Sequence, residues 1–158
     1  MGAQEGPAYI EHPLVEPSAV ERRLYQLRLA GAAKDDHTLV CLPTGLGKTA
    51  VSLLVTAERL HDRGGKALLL APTKPLVAQH AGDYRAWLSI PDEEVVVFTG
   101  EIRPDDRAAL WEDARMVIAT PQVVENDLIG GRISLSDVVH LTFDECHRAT
   151  GDYAYTYI

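Results

Sequence analysis

The feature that most constrains the fold of this chain is a glycine-rich loop placed between a strand-like run and a helix-like run. The apolar run Thr38–Leu42 is typical of a strand buried on both faces of a parallel sheet. Beyond the loop, apolar residues recur at helical spacing from Val51 to Leu60, and Gly64-Gly65 follows as a helix stop. A chain built in this order is expected to form an α/β domain.

The loop itself has the composition of a phosphate-binding loop. It comprises Leu42, Pro43, Thr44, Gly45, Leu46, Gly47, Lys48 and Thr49. Glycines at 45 and 47 let successive backbone N–H groups point at phosphate oxygens, while Lys48 reaches the outer phosphates and Thr49 ligates magnesium. The strict pattern has glycine where this chain has Leu42, and an ordinary strand-to-helix turn is the alternative. The strand–loop–helix context favours the phosphate-binding interpretation.

A second candidate element is a buried strand that ends in two carboxylates. The run Val138–Phe143 is followed directly by Asp144 and Glu145. Carboxylates at the end of a buried strand are costly unless they meet a cation or hydrogen-bond donors. Opposite a phosphate loop, Asp144 is suited to hold magnesium through water and Glu145 to orient the water that attacks a γ-phosphate. The alternative is a pair of acids that are merely hydrated.

Apolar and polar segments alternate along the rest of the chain, which predicts a doubly wound parallel sheet. Ligands of such sheets gather at the carboxyl ends of the strands. We expect residues 1–16 to be an N-terminal extension and residues 17–158 to be one domain. The predicted helices are Val20–Ala33, Lys48–Asp62, Lys74–Trp87, Asp105–Asp113 and Gln122–Leu128, and the predicted strands are Thr38–Leu42, Lys66–Ala71, Glu94–Phe98, Arg115–Ala119 and Val138–Phe143.

The charge balance argues against one class of partner. It has 23 acidic and 15 basic residues among 158, a net charge of −8, which argues against non-specific binding to a duplex through a broad basic face. The acidic surface is explained either by a salty cytoplasm, as in halophilic archaea, or by an ordinary acidic cytosolic protein. Without a membrane-spanning run or a signal peptide, the sequence predicts a cytoplasmic protein with no membrane partner.

Seven blocks in order resemble the superfamily 2 helicases, and the four residues from Asp144 to His147 form a DECH variant of their DEAH box. The finer resemblance is to archaeal Hef proteins and the Fanconi anaemia M-type translocases. The blocks are Arg23-Leu24-Tyr25-Gln26, Leu42 to Thr49, Ala71-Pro72-Thr73-Lys74-Pro75-Leu76-Val77, Thr99-Gly100-Glu101, Ala119-Thr120-Pro121-Gln122, Glu125-Asn126-Asp127-Leu128 and Asp144-Glu145-Cys146-His147-Arg148-Ala149. The resemblance implies a RecA-like P-loop NTPase fold, with ATP and Mg²⁺ as cofactors.

The resemblance also assigns roles to individual residues. It implies that Gln26 hydrogen-bonds the adenine edge, that Arg23 stacks on the base, and that His147 couples the ATP site to a neighbouring domain. Backbone contacts to one nucleic-acid strand are implied for Thr73, Lys74, Thr99, Gly100, Thr120 and Pro121. Taken alone, Thr73 and Thr120 are more typical of helix caps, and His147 is more typical of a structural residue. His80 has no partner pattern, so a solvent or core role is expected for it.

Such helicases close ATP between two RecA-like domains, and the second domain supplies arginine fingers. The chain ends before that domain, so we expect the first of two motor domains, truncated as a fragment or by a split gene. The function implied is that of an ATP-dependent DNA helicase or translocase acting on branched DNA in repair. The alternatives are a nucleic-acid-binding module without ATP turnover, an RNA-directed helicase of the same superfamily, and an unrelated phosphate-loop NTPase.

Overall fold

A parallel four-stranded sheet forms the centre of the fold. The computed structural model describes residues 8–42, 47–148 and 158. The strands are β1 (Lys66–Leu70), β2 (Val95–Phe98), β3 (Met116–Ala119) and β4 (Val138–Phe143), in the spatial order β2-β3-β1-β4. All three pairings are parallel, with Leu69 of β1 opposite Ile118 of β3 and Thr142 of β4. The predicted parallel sheet is confirmed.

Five helices connect and cover these strands. They are α1 (Leu24–Ala33), α2 (Lys48–Arg63), α3 (Lys74–Trp87), α4 (Pro104–Asp113) and α5 (Pro121–Ile129), with two short 3-10 turns at Asp92–Glu94 and Cys146–Arg148. The chain crosses from β1 through α3 to β2, through α4 to β3, and through α5 to β4. Within the described part of the chain, every helix is too short or too polar to cross a lipid bilayer.

Alternating side chains divide the core between the two faces of the sheet, as the two-residue period of a strand requires. One core joins the sheet to α1, α2 and α3, and includes Ala67, Leu69, Met116 and Ile118. The opposite core joins it to α4 and α5, and includes Leu68, Leu70, Val117, Ala119 and Trp111. Helices on both faces make a three-layer, doubly wound domain.

Helix α1 begins later than the sequence predicts, at Leu24 rather than Val20. Val20 is buried in the core, and its carbonyl accepts a hydrogen bond from the N–H of Ile10 (2.8 Å). Because Tyr9 also pairs with Glu21 in a β-bridge, residues 20–22 are held extended by the preceding segment. Residues 8–16 therefore pack on the domain, and the boundary at residues 16–17 stays a prediction.

The predicted strand Thr38–Leu42 is wrong for the described residues, because this segment has no regular secondary structure. Leu39 is 71% exposed, although a strand covered on both faces would bury it. Strand geometry requires a neighbour to pair the backbone N–H and C=O groups, and the described sheet ends at β4 without pairing to this segment. An apolar run indicates burial but does not specify the partner that provides it.

Candidate ATP and nucleic-acid site

The start of α2 carries the basic end of the predicted phosphate loop. Gly47 precedes the helix with φ +74°, in the left-handed region that glycine adopts without strain, and Lys48 and Thr49 form its first turn. The N–H groups of a first helical turn lack intrahelical partners and attract anions. Lys48 is exposed and Thr49 half-buried. Pro43, Thr44, Gly45 and Leu46 lie outside the described residues, and Leu42 precedes them as half-buried irregular chain.

Gln26 lies against this loop. Its side chain is almost fully buried, with the residue 3% exposed, and its Nε2 donates to the carbonyl of Gly47 at 3.3 Å. A Cβ on residue 47 would collide with that amide group, which gives a second reason for glycine there. The amide of Gln26 therefore holds the backbone of Gly47 at the start of α2. Its predicted contact with adenine stays a prediction.

Arg23 immediately precedes α1 and is exposed to solvent. Its Nη1 donates to the Tyr25 hydroxyl at 3.4 Å, and its Nη2 lies 3.6 Å from the Glu21 carboxylate. The Arg23 side chain is 45% exposed. The predicted stacking role stays a prediction.

Asp144 is held at the carboxyl end of β4. Its N–H donates to the Leu70 carbonyl of β1 (2.9 Å), while its Oδ1 accepts from the N–H of Glu145 (3.1 Å) and its Oδ2 lies 2.9 Å from His80 Nε2. These contacts lower the pKa of Asp144. The His80 hydrogen bond is the largest cause and the charge of Lys48 a smaller one, and together they outweigh the effect of burial. The carboxylate is therefore ionised and 27% exposed beside a lysine of the phosphate loop.

Glu145 follows in an unusual backbone conformation. Its φ is +54°, a left-handed value that is rare outside glycine, asparagine and aspartate. Its carboxylate is exposed and lies 3.3 Å from Nε2 of His147. Strained residues of this kind concentrate at functional sites. Glu145 and His147 lie together in solvent, next to Asp144 at the end of β4.

A hydrogen-bonded network of buried and half-buried polar groups lies between α2, α3 and β4. The Ser52 hydroxyl lies 2.8 Å from that of Tyr84 and donates to Thr142 Oγ1 (3.2 Å), which lies 3.0 Å from His140 Nε2. Burial raises the pKa of Tyr84 to about 12 and lowers that of His140 to about 4, so both groups are neutral at pH 7. This hydrogen-bonded network links the three elements that carry the site.

The ends of β2, β3 and β1 bring the predicted strand-binding residues to the same edge. Hydrogen bonds connect these ends in turn, from Thr120 N to Phe98 O and from Ala71 N to Ala119 O. Exposed groups are found at Thr73, Lys74 and Gly100, whereas Thr99, Thr120 and Pro121 are buried. Thr99, Thr120 and Pro121 therefore expose little surface to a strand.

Two of the threonines also test the helix-cap alternative. Thr73 Oγ1 accepts from the N–H of Leu76 (3.4 Å), so Thr73 caps α3, whereas the side chain of Thr120 makes no cap bond to α5. Capping uses one acceptor site of the Thr73 hydroxyl and leaves its O–H free to donate, and Lys74 lies at the exposed start of the helix.

Sequence reasoning missed two polar contacts. His80, assigned to solvent or core, contacts Asp144 across 64 residues of sequence. Asp127, given no role, is 0% exposed and receives a two-bond fork from Arg107 (2.7 and 2.7 Å) and a further bond from Arg132 (2.9 Å). Neither pair has a local spacing that would reveal it, although buried polar residues on apolar helix faces are a general reason to look for partners.

Residues 23–157 match the family model described as DEAD/DEAH box helicase. The chain belongs to this family. The matched region covers every residue assigned above to nucleotide or strand binding. Membership of a DEAD/DEAH box helicase family implies the use of a nucleotide.

Individual relatives agree with this assignment. The chain is 46% identical over 150 residues to a putative ATP-dependent RNA helicase of Methanocaldococcus jannaschii, covering 95% of this chain and 19% of that protein. It is 41% identical over 142 residues to the Fanconi anemia group M protein of Gallus gallus, covering 89% of this chain and 7% of that protein. The chain therefore spans a fifth or less of these relatives.

Solved structures confirm the RecA-like fold. The Hef helicase domain of Pyrococcus furiosus superposes with a TM-score of 0.88 at 46% identity, over 91% of this chain and 31% of that one. The UvsW helicase of bacteriophage T4 superposes with a TM-score of 0.72 at 23% identity, over 92% of this chain and 50% of that one, a likeness of fold alone. The predicted resemblance to Hef and Fanconi anaemia M-type helicases is confirmed.

Proposed function

We propose that this chain is the ATP-binding motor domain of an ATP-dependent DNA helicase or translocase that acts on branched DNA during repair. The observation that carries the proposal is the order of groups along one edge of the sheet. Asp144 and Glu145 follow β4, Thr73 and Lys74 follow β1, Thr120 follows β3 and Thr99 follows β2. With strands about 4.8 Å apart, the nucleotide and strand-binding groups share a span of about 15 Å.

The proposed chemistry is attack of water on the γ-phosphate of ATP. The N–H groups at the start of α2 and the Lys48 ammonium bind the phosphates, since both place positive charge at the same point. The Glu145 carboxylate is exposed to solvent and orients the attacking water. His147, paired to Glu145, is then suited to report the state of the ATP site to a neighbouring domain.

The side chains at this site fit Mg²⁺. Among the described residues no cluster of three or more His, Cys, Asp or Glu could cage a metal ion, and magnesium is usually held by one or two carboxylates together with phosphates and water. The ionised Asp144 carboxylate and the Thr49 hydroxyl are the oxygen donors that would hold it. When bound, Mg²⁺ neutralises charge that develops on the phosphate oxygens.

The proposed nucleic-acid contact is to the backbone of one strand. Loop amides, hydroxyls and lysines bind phosphates without reading sequence. Lys74, at the exposed start of α3, is the cation placed for this role, and its Nζ lies 3.1 Å from a carboxylate oxygen of Glu101. A second RecA-like domain, elsewhere in a longer protein or in another molecule, would complete both the strand groove and the ATP site. We place this activity in the cytoplasm, where ATP and DNA meet.

RNA is the second candidate substrate. The Methanocaldococcus jannaschii relative is named as an RNA helicase, whereas a Debaryomyces hansenii relative, 42% identical, is named as a DNA helicase. Backbone contacts alone do not exclude a 2′-hydroxyl. A competition experiment separates the two candidates. DNA and RNA single strands of the same sequence compete for binding to the longest version of the protein that can be produced.

Nucleotide binding gives a direct test of the phosphate-binding assignment. We expect Lys48→Ala to weaken binding of a fluorescent ATP analogue roughly 10- to 100-fold, because hydrogen bonds to charged groups contribute about 1.5–3 kcal/mol. Gln26→Ala should instead reduce the preference for ATP over GTP. Lys34→Ala, which removes an exposed lysine after α1, is the control. Unchanged affinity in Lys48→Ala would refute the assignment.

Salt dependence tests the proposed halophilic archaeal origin together with strand binding. Unscreened carboxylates should expand the domain at low salt, since the screening length grows from about 3 Å at 1 M to about 30 Å at 0.01 M. Each neutralised phosphate adds roughly 0.7 to the slope of log affinity against log salt, so few contacts give a shallow slope. Circular dichroism and single-strand binding on the same samples measure both. Glu101→Gln should bind the strand more tightly, because Lys74 loses its acidic neighbour.

Full stability at low salt would contradict the halophilic origin and leave an ordinary acidic protein. A steep slope would contradict the limited strand contact, because a net charge of −8 leaves little room for a broad basic surface.

A further inference from the structure

Helix α3 does not need the polar contact of His80 in order to pack on the sheet. It lies on α3, on the face that also carries Val77, Ala81 and Tyr84, and all four residues are buried. Those three neighbours already pack in the core, and the Tyr84 hydroxyl bonds Ser52. An apolar side chain at 80 would complete the same face. The imidazole instead places Nε2 at 2.9 Å from Oδ2 of Asp144.

The hydrogen-bond pattern of His80 specifies which nitrogen carries the proton. Its Nδ1 is buried without a partner among the described residues. A buried N–H without an acceptor leaves an unsatisfied donor, whereas a bare nitrogen lone pair leaves only an unused acceptor. The arrangement therefore favours a proton on Nε2, donated to Asp144. Among the described residues, the polar contact of His80 is then the one to the carboxylate that fits Mg²⁺.

The Asp144 carboxylate accepts hydrogen bonds from donors on two different segments. Oδ2 accepts from His80 on α3, and Oδ1 accepts from the N–H of Glu145 at the end of β4. The second contact is local and moves with the loop, because it joins adjacent residues. His80 belongs to a helix anchored in the core, so it sets the carboxylate relative to the rest of the domain.

We propose that His80 is a positioning residue for the nucleotide site, which holds Asp144 in the orientation that binds magnesium with ATP. The proposal rests on the proposed ATP-binding function. Groups that hydrogen-bond a metal-binding side chain typically change metal affinity or activity 10- to 100-fold when they are removed. We therefore expect the contact to act on the magnesium requirement rather than on the phosphate grip of Lys48.

Three variants of the 158-residue chain test this. His80→Leu removes the hydrogen-bond donor and keeps a buried side chain of similar bulk. His80→Gln keeps an N–H donor at about the distance of Nε2 from the backbone. His80→Asn also carries an amide donor, but its side chain is too short to reach Asp144. Binding of a fluorescent ATP analogue is measured over a magnesium titration and in EDTA. We expect His80→Leu and His80→Asn to raise the magnesium midpoint about 10- to 100-fold, His80→Gln to stay near wild type, and affinity in EDTA to stay unchanged.

The outcomes separate this proposal from the proposed function. If wild-type protein does not bind the nucleotide, both are refuted. If wild type shows a magnesium-dependent affinity and His80→Leu matches it, or His80→Gln is as impaired as His80→Asn, the positioning role is refuted and the ATP site stands. Thermal unfolding of each variant identifies any that fail to fold. The comparison of His80→Gln with His80→Asn then decides, because both replace the ring by an amide.

Discussion

The 158-residue chain alone should hydrolyse ATP at about a thousandth or less of the rate of a longer protein that also contains the second RecA-like domain. Glu145 and the start of α2 supply water orientation and phosphate binding, but the family resemblance assigns the arginine finger to the second domain. A finger of that kind typically contributes roughly 10³- to 10⁵-fold in rate. The chain should therefore bind ATP and turn it over barely above background, even with DNA present.

Phosphate release measured with and without branched DNA checks this expectation. The longer protein should be fast with DNA and lose that activity in Glu145→Gln, whereas Glu125→Gln, a half-buried acid on α5, is the matched control. Robust DNA-stimulated hydrolysis by residues 1–158 would contradict the two-domain argument. A longer protein that binds ATP and DNA but does not hydrolyse would favour the alternative of a binding module without turnover.

Regular elements were predictable where local pattern and burial agree. The bounds of α3 are predicted without error, because Thr73 caps its start, Pro75 fits its first turn and Trp87 ends its apolar face. Three of the four strands are predicted within one residue at each end, and β4 matches in full. In each, a mainly apolar run is bounded by polar, glycine or proline residues, so the same pattern indicates both that a strand forms and where it ends.

The errors arise where a segment distant in the sequence determines the local structure. Residues 20–22 are extended because residues 8–10 bond to them, and Thr38–Leu42 is irregular because the described sheet offers it no neighbour. His80 and Asp127 were missed for a related reason. Their partners, Asp144 and Arg107, are 64 and 20 residues away, and only the packing of α3 on the sheet or of α4 beside α5 brings them together.

The buried group around Asp127 joins two of the proposed strand-binding segments. Arg107 of α4 bonds both carboxylate oxygens of Asp127 on α5 and also donates to the carbonyl of Ile102, whose N–H bonds Thr99. Arg132 adds a bond to the same carboxylate from the loop after α5. One acid thus fixes the loop that carries Thr99 and Gly100 relative to the helix that follows Thr120.

Asp127→Asn should be among the most destabilising single substitutions in the chain. It leaves the Arg107 guanidinium, 6% exposed, without a counter-charge, and removing one partner of a buried ion pair typically costs about 3–5 kcal/mol. For a domain of this size we expect the Tm to fall by roughly 6 to 20 °C. Asp106→Asn is the matched control, since Arg103 bonds Asp106 in a similar fork that is exposed to solvent, and exposed pairs contribute little.

The pH dependence provides an independent check. Burial alone would raise the pKa of Asp127, but the hydrogen bonds from Arg107 and Arg132 outweigh it and hold the pKa below its ordinary value. A carboxyl group whose pKa is lower in the folded state contributes stability that is present above its unfolded pKa, near 3.9, and lost as the pH falls through its folded pKa. The difference in unfolding free energy between wild type and Asp127→Asn should therefore be constant from about pH 5 to 7 and shrink below about pH 4. Denaturant unfolding at several pH values measures it, and a difference that persists unchanged at pH 3 would show that the carboxylate charge does not stabilise the fold.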